Sequence, residues 1–175
     1  ADYKNNIQML GSLQQSGAQS SPPHTRRFIP SVPGAPRRLA YVSPLPPDHS
    51  GIAKYSTDLL PALSRHFDLV LIHPTLQQLE LQGVPTQVHS PEWLLKNHNQ
   101  FDLVLYHIGN SPFHTYMLEL MEQVPGTVVL HDVFITHLLA HEYHAKGNLS
   151  LYCQHLFTSH GLRALGHNSI ISDIF

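Results

Sequence analysis

With 175 residues the chain is long enough for one domain with a sizeable core, but short for two. Hydrophobic residues make up 42% and charged residues 13%, with a formal net charge of −2, so the sequence lacks the positive field that a nucleic-acid partner calls for. A single cysteine, Cys153, excludes a disulfide framework and is consistent with a reducing compartment.

Residues 1–37 read as a lead-in outside the core. Asn5 to Leu13 fit a short helix, after which Gln, Ser, Gly and Pro dominate as far as Pro36. Such a stretch buries too little apolar area to offset its ordering entropy, which predicts an interdomain linker partly extended by its prolines. A linker in this place implies a further domain upstream. Ala1 to Gln19 lacks the basic start and apolar stretch of a signal peptide. No apolar run approaches the roughly 20 residues that span a bilayer.

From Arg38 onward the character is that of a folded domain, 38–175. Leu39–Val42 is a short apolar run that fits a buried parallel strand. A loop then leads to Ser50-Gly51, and Ile52, Tyr55, Leu59, Leu60 and Leu63 recur at helical spacing, with Pro61 inside. Asp68–Pro74 is a second buried strand and Thr86–His89 a short third. Pro91–Asn97 forms one or two helical turns opened by its proline. Asp102–Ile108 is another apolar strand, and Pro112–Gln123 a helix with Met117, Leu118 and Met121 on one face. Thr127–Leu130 is the last strand, expected to be buried. Ile135–Lys146 is a helix broken at Gly147-Asn148, and a final helical stretch runs over Leu149–Phe157.

Strands that are apolar throughout, alternating with helices, predict an α/β fold: a Rossmann-like parallel sheet with helices on both faces. Ligands of such sheets bind beyond the carboxyl ends of the strands. The residues that follow each strand are therefore the candidates for chemistry.

Ser50, Gly51 and Ile52 open a helix. A glycine there lets backbone N–H groups approach an anion, which the helix dipole also favours, although Ser50 as a plain N-cap explains the same residues. His131-Asp132 follows a strand directly. The imidazole can donate to a sugar hydroxyl or a developing charge, and Asp132 can orient it or accept from substrate; the alternative is a helix cap beside a packed histidine. Asn110 and Ser111 can cap the helix after them, and His114 lies in its first turn at the same end of the sheet. His137, His141 and His144 share a helix, and an i, i+4 pair can bind zinc, but the His-Glu-x-x-His order is missing and exposed helix histidines are the commoner outcome. Cys153 is expected as buried packing among Leu151, Tyr152, Leu156 and Phe157.

Taken together, Arg38–Pro47 with Ser50-Gly51-Ile52-Ala53-Lys54-Tyr55-Ser56, then Tyr106–Asn110 with His114, then Pro125–Asp132, resemble the corresponding stretches of retaining glycosyltransferases of family 4, over roughly residues 38–145. The resemblance implies a GT-B enzyme with two Rossmann-like domains facing a cleft, of which this is the N-terminal, acceptor-side one. It implies transfer of a sugar from a nucleotide-sugar donor to a glycan or lipid-linked acceptor, with no cofactor and no metal. It implies that Ser50, Gly51 and Ile52 lie near the donor phosphates and acceptor, that His131 contacts the donor sugar with Asp132 beside it, and that Asn110 and His114 line the acceptor side. A cytoplasmic location follows, free or peripheral at the inner face of a membrane.

The chain departs from the family in two ways. Its first loop carries one glycine where many relatives have a pair, and it reaches Phe175 without a Glu-x7-Glu segment. The resemblance therefore implies a fragment inactive alone, with an exposed interdomain face that invites self-association. Two other classes fit the residues: a stand-alone Rossmann-like or flavodoxin-like module for a small anion or protein partner, and a histidine-rich metal protein.

Overall fold

The computed structural model describes residues 36–75 and 87–161. The expected helix at Asn5–Leu13, nearly all of the lead-in, and Thr86 lie outside the described residues.

Among the described residues the sheet has five parallel strands: β1 (Arg37–Val42), β2 (Phe67–Ile72), β3 (Gln87–His89), β4 (Leu103–Ile108) and β5 (Thr127–Leu130), in the order β3-β2-β1-β4-β5. The helices are α1 (Gly51–Leu63), α2 (Pro91–Asn97), α3 (Thr115–Gln123), α4 (Thr136–Ala145) and α5 (Leu149–His160), with 3-10 turns at His98–Gln100 and Pro112–His114. The protein is thus a Rossmann-like α/β domain. The strand order reverses between β1 and β4, so the crevice of such a sheet opens at their carboxyl ends.

The period-2 rule sorts the strand residues into two cores. Ala40, Val42, Val70, Ile72, Val104, Tyr106 and Ile108 face Leu94 of α2, Met117 and Leu120 of α3 and Leu138 of α4. Leu39, Tyr41, Leu69 and Leu71 face Leu60 of α1 and Leu45 of the loop before it. Both faces are buried, which explains why β1 and β2 read as unbroken apolar runs. Among these, Ala40, Val42, Val70 and Ile72 are fully enclosed, each larger side chain contributing about 1.5–3 kcal/mol by leaving water.

At the amino end, Asp102 pins the start of β1. Its Oδ2 accepts from Arg38 N at 2.7 Å, and its own N–H donates back to Arg38 O at 3.0 Å. The Arg38 guanidinium pairs with Asp68 at 2.9 Å. These bonds set the register of β1, β2 and β4 at the end opposite the crevice.

Three expectations need correction. The first strand starts at Arg37, one residue inside the expected lead-in. β5 is not buried: it pairs only with β4, and Val128 and Leu130 are 47% and 53% exposed, because the sheet ends there among the described residues. Cys153 is only partly buried, and its neighbour Tyr152 is the enclosed residue. No helix among the described residues is long and apolar enough to cross a membrane.

Candidate functional site

The site is assembled from the loops that leave β1, β4 and β5. Ser50 caps α1: it is extended, and its Oγ accepts from Ala53 N at 3.0 Å. The N–H groups of Gly51 and Ile52 remain among the donors that a helix start leaves unused. Gly51 is exposed, with open space where a side chain would stand.

A buried polar chain fixes α1 against β1. Tyr41 Oη donates to Ser56 Oγ at 2.9 Å, and Ser56 Oγ lies 2.7 Å from Ser43 Oγ. Burial pushes the Tyr41 phenol up to about 12, so it remains a donor. The loop between them is tied to the end of β2 by Asp48, whose Oδ2 lies 3.0 Å from Nε2 of the buried His73.

Asp132 and Asn110 lock the other two loops together. Asp132 Oδ2 accepts from Asn110 N at 2.7 Å. The Asn110 Oδ1 then accepts from His137 N at 2.8 Å and Leu138 N at 3.1 Å, so it caps α4. The expected cap on its own following helix is therefore replaced by a cap on a helix 27 residues on. The following turn is entered at Ser111, whose Oγ lies 3.0 Å from His114 Nδ1.

His131 carries on the β5 ladder, its N–H donating to Ile108 O at 2.8 Å. Its ring partner is His107, not Asp132: His107 Nδ1 lies 2.9 Å from His131 Nε2. Tyr41 and Tyr55 crowd the same place, with ring centroids 4.7 and 5.7 Å from that of His107, and Tyr55 stands edge-on to His131 at 5.0 Å.

Ile52, Asp132 and His114 meet at Gly109. A methyl group there would collide with Ile52 Cδ1, and would lie 3.0 Å from Asp132 Oδ2 and 3.2 Å from His114 Cε1. Ile52 adjoins Gly51, Asn110 adjoins Gly109, and His131 adjoins Asp132. The expected residues thus gather at one rim, at the switch point between β1 and β4.

Among the described residues, three buried polar atoms have no hydrogen-bond partner: His107 Nε2, His114 Nε2 and Tyr116 Oη. Burial lowers the pKa of His107 to about 4, with His131 adding to the effect, and burial also lowers that of His114. Both imidazoles are therefore neutral near pH 7 and able to donate or accept without carrying charge.

Such a rim combines unused helix-start N–H groups, a half-buried imidazole and a carboxylate. It can hold an anion and polarise hydroxyl groups without forming a covalent bond. The sequence pattern did not reveal His107 or the Tyr41–Ser56–Ser43 chain. The available signal was one polar residue in the otherwise apolar run Leu103–Ile108, at the register position beside Val129 and hence on the face of His131.

His137, His141 and His144 are exposed. Among the described residues no group of three or more His, Cys, Asp or Glu is placed to hold a metal ion. Comparison with protein-family models, with curated proteins and with solved structures finds no match to the chain.

Proposed function

We propose that this chain is the acceptor-side N-terminal domain of a retaining glycosyltransferase, whose parent enzyme moves a sugar from a nucleotide-sugar donor to a glycan or lipid-linked acceptor. One observation carries the proposal: Ile52, Asp132 and His114 close on Gly109 at the carboxyl rim of the sheet, bringing the α1 start, Asn110 and His131 together.

In this proposal the N–H groups of Gly51 and Ile52 face the donor phosphates, with Ser50 holding the helix start open toward them. His131 donates to the donor sugar beside the reacting centre. Asp132 keeps the β4 and β5 loops at fixed separation, and His114 lines the acceptor side. The Asn110 carbonyl is taken by α4, so only its side-chain N–H groups remain for acceptor. The domain contributes positioning and charge stabilisation, with no cofactor. The nucleotide is held mainly by the facing domain of the parent enzyme. Val133 and Phe134, 88% and 74% exposed beyond β5, form the apolar face through which the isolated domain self-associates.

Replacing His131 by Ala in the parent enzyme tests the proposal. Loss of a donor at the reacting centre lowers kcat about 100-fold or more. Turnover near that of the unaltered enzyme removes His131 from the chemistry.

The accessible α1 start also fits a second function, a stand-alone anion-binding module. Calorimetry of this chain with nucleotide sugars, free nucleotides and flavin separates the two. Tight binding of flavin or free nucleotide by the chain alone favours the module.

A further inference from the structure

His131 has two ring nitrogens in very different surroundings. Nε2 faces Nδ1 of His107 at 2.9 Å. Nδ1 has no protein partner among the described residues and is not among the buried unpartnered atoms, so it opens to solvent at the rim. Which of the two carries the proton decides whether His131 presents a donor or an acceptor to a ligand.

His107 makes that choice. Its ring is 1% exposed, wedged against Tyr41, and its Nε2 meets no polar group. If Nε2 bore the proton, an N–H would be buried with no acceptor, an arrangement that folded proteins avoid more strongly than an idle lone pair. The proton therefore sits on Nδ1, which donates to His131 Nε2. A neutral His131 with an occupied Nε2 lone pair carries its own proton on Nδ1.

We propose that His107 is a positioning residue: its Nδ1–H fixes the neutral tautomer and ring orientation of His131, so that His131 offers an Nδ1–H donor to a hydroxyl of the bound sugar. The substrate clause rests on the glycosyltransferase proposal above; the tautomer clause does not.

Nitrogen-15 NMR of the histidine-labelled chain reads the tautomers directly. The expected result is an Nδ1–H form for both His107 and His131 at pH 7.5. An Nε2–H form of His131 in the unaltered chain overturns the proposal, with no variant needed. His107→Gln retains an N–H donor and keeps His131 in its Nδ1–H form, whereas His107→Leu releases it to the mixture of free imidazole. If His107→Leu leaves the His131 tautomer unchanged, His107 has no positioning role.

In the parent enzyme, His107→Leu lowers kcat about 10-fold to 100-fold with KM little changed, and His107→Gln restores most of it. Equal losses in both variants overturn the positioning role. Expected NMR spectra alongside normal turnover of His131→Ala leave the tautomer clause standing and remove the function of the site.

Discussion

Asp132 holds the backbone of Asn110, and Asn110 holds the start of α4. The carboxylate accepts from Asn110 N at 2.7 Å, and the amide oxygen accepts from two N–H groups of α4. One side chain thus fastens the β4 loop to a helix that begins after β5, so site and fold share a residue. Replacing Asn110 by Ala strands both N–H groups and removes the cap. The expected loss is about 1–2 kcal/mol, read from the urea midpoint at unchanged slope. A midpoint equal to that of the unaltered chain shows that the cap contributes nothing.

Gly51 separates stability from function. It occupies the first helical position, with open space around it, and its φ is not left-handed. Replacing it by Ala reduces the freedom of the unfolded chain and stabilises the fold by about 0.4–1 kcal/mol. The same methyl group obstructs the approach of a phosphate to the helix start. Under the proposed function, the parent enzyme carrying Gly51→Ala is therefore expected to melt higher and to bind donor more weakly. Higher melting with unchanged donor KM places the phosphates elsewhere.

Most of the fold was legible because its strands are buried on both faces. Val70, Leu71 and Ile72 are all enclosed, so a run of apolar residues marked β2 without any alternation. β5 misled for the same reason: Val128-Val129-Leu130 reads as a buried run, yet sheet position decides exposure, and among the described residues this strand lies at the edge. In the site, Ser50, Gly51 and His131 were legible from their places after strands. The partner of His131 was not, because His107 lies inside a strand 24 residues earlier and only sheet register brings the rings together. Asn110 was recognised as a cap, but its distant helix depends on the loop that Asp132 closes.

Two glycines test how rigid the packing is around β4. A methyl at Gly126 would lie 2.5 Å from Val104 O and 2.8 Å from Tyr106 Cε2, and a strand carbonyl cannot turn aside. At Gly109 the worst collision is with the end of the Ile52 side chain, which can rotate. Gly126→Ala is therefore expected to cost about 2–3 kcal/mol and Gly109→Ala about 1 kcal/mol, from denaturant titration of each variant. The reverse ranking shows that the rim around Gly109 is the stiffer of the two. Gly109→Ala also displaces Ile52 beside the α1 start, so under the proposed function it is expected to weaken donor binding in the parent enzyme despite its smaller effect on folding.

Acid should unfold the domain partly through His107. The groups facing its ring are Tyr41 from β1, Tyr55 from α1 and His131 from the loop after β5, none of them a carboxylate. Burial, with His131 adding, lowers its pKa from 6.5 to about 4 in the folded chain. Between those values the unfolded chain binds the extra proton, so stability falls as pH drops through 6.5 and stops falling below about 4. The loss from this residue is on the order of 3 kcal/mol. His114, also lowered by burial, acts in the same direction. Urea midpoints measured from pH 7.5 to pH 4 for the unaltered chain and for His107→Gln isolate the contribution, because all other groups titrate in both. The variant should lose less stability across that interval, and parallel curves would mean that His107 takes up its proton without unfolding the chain.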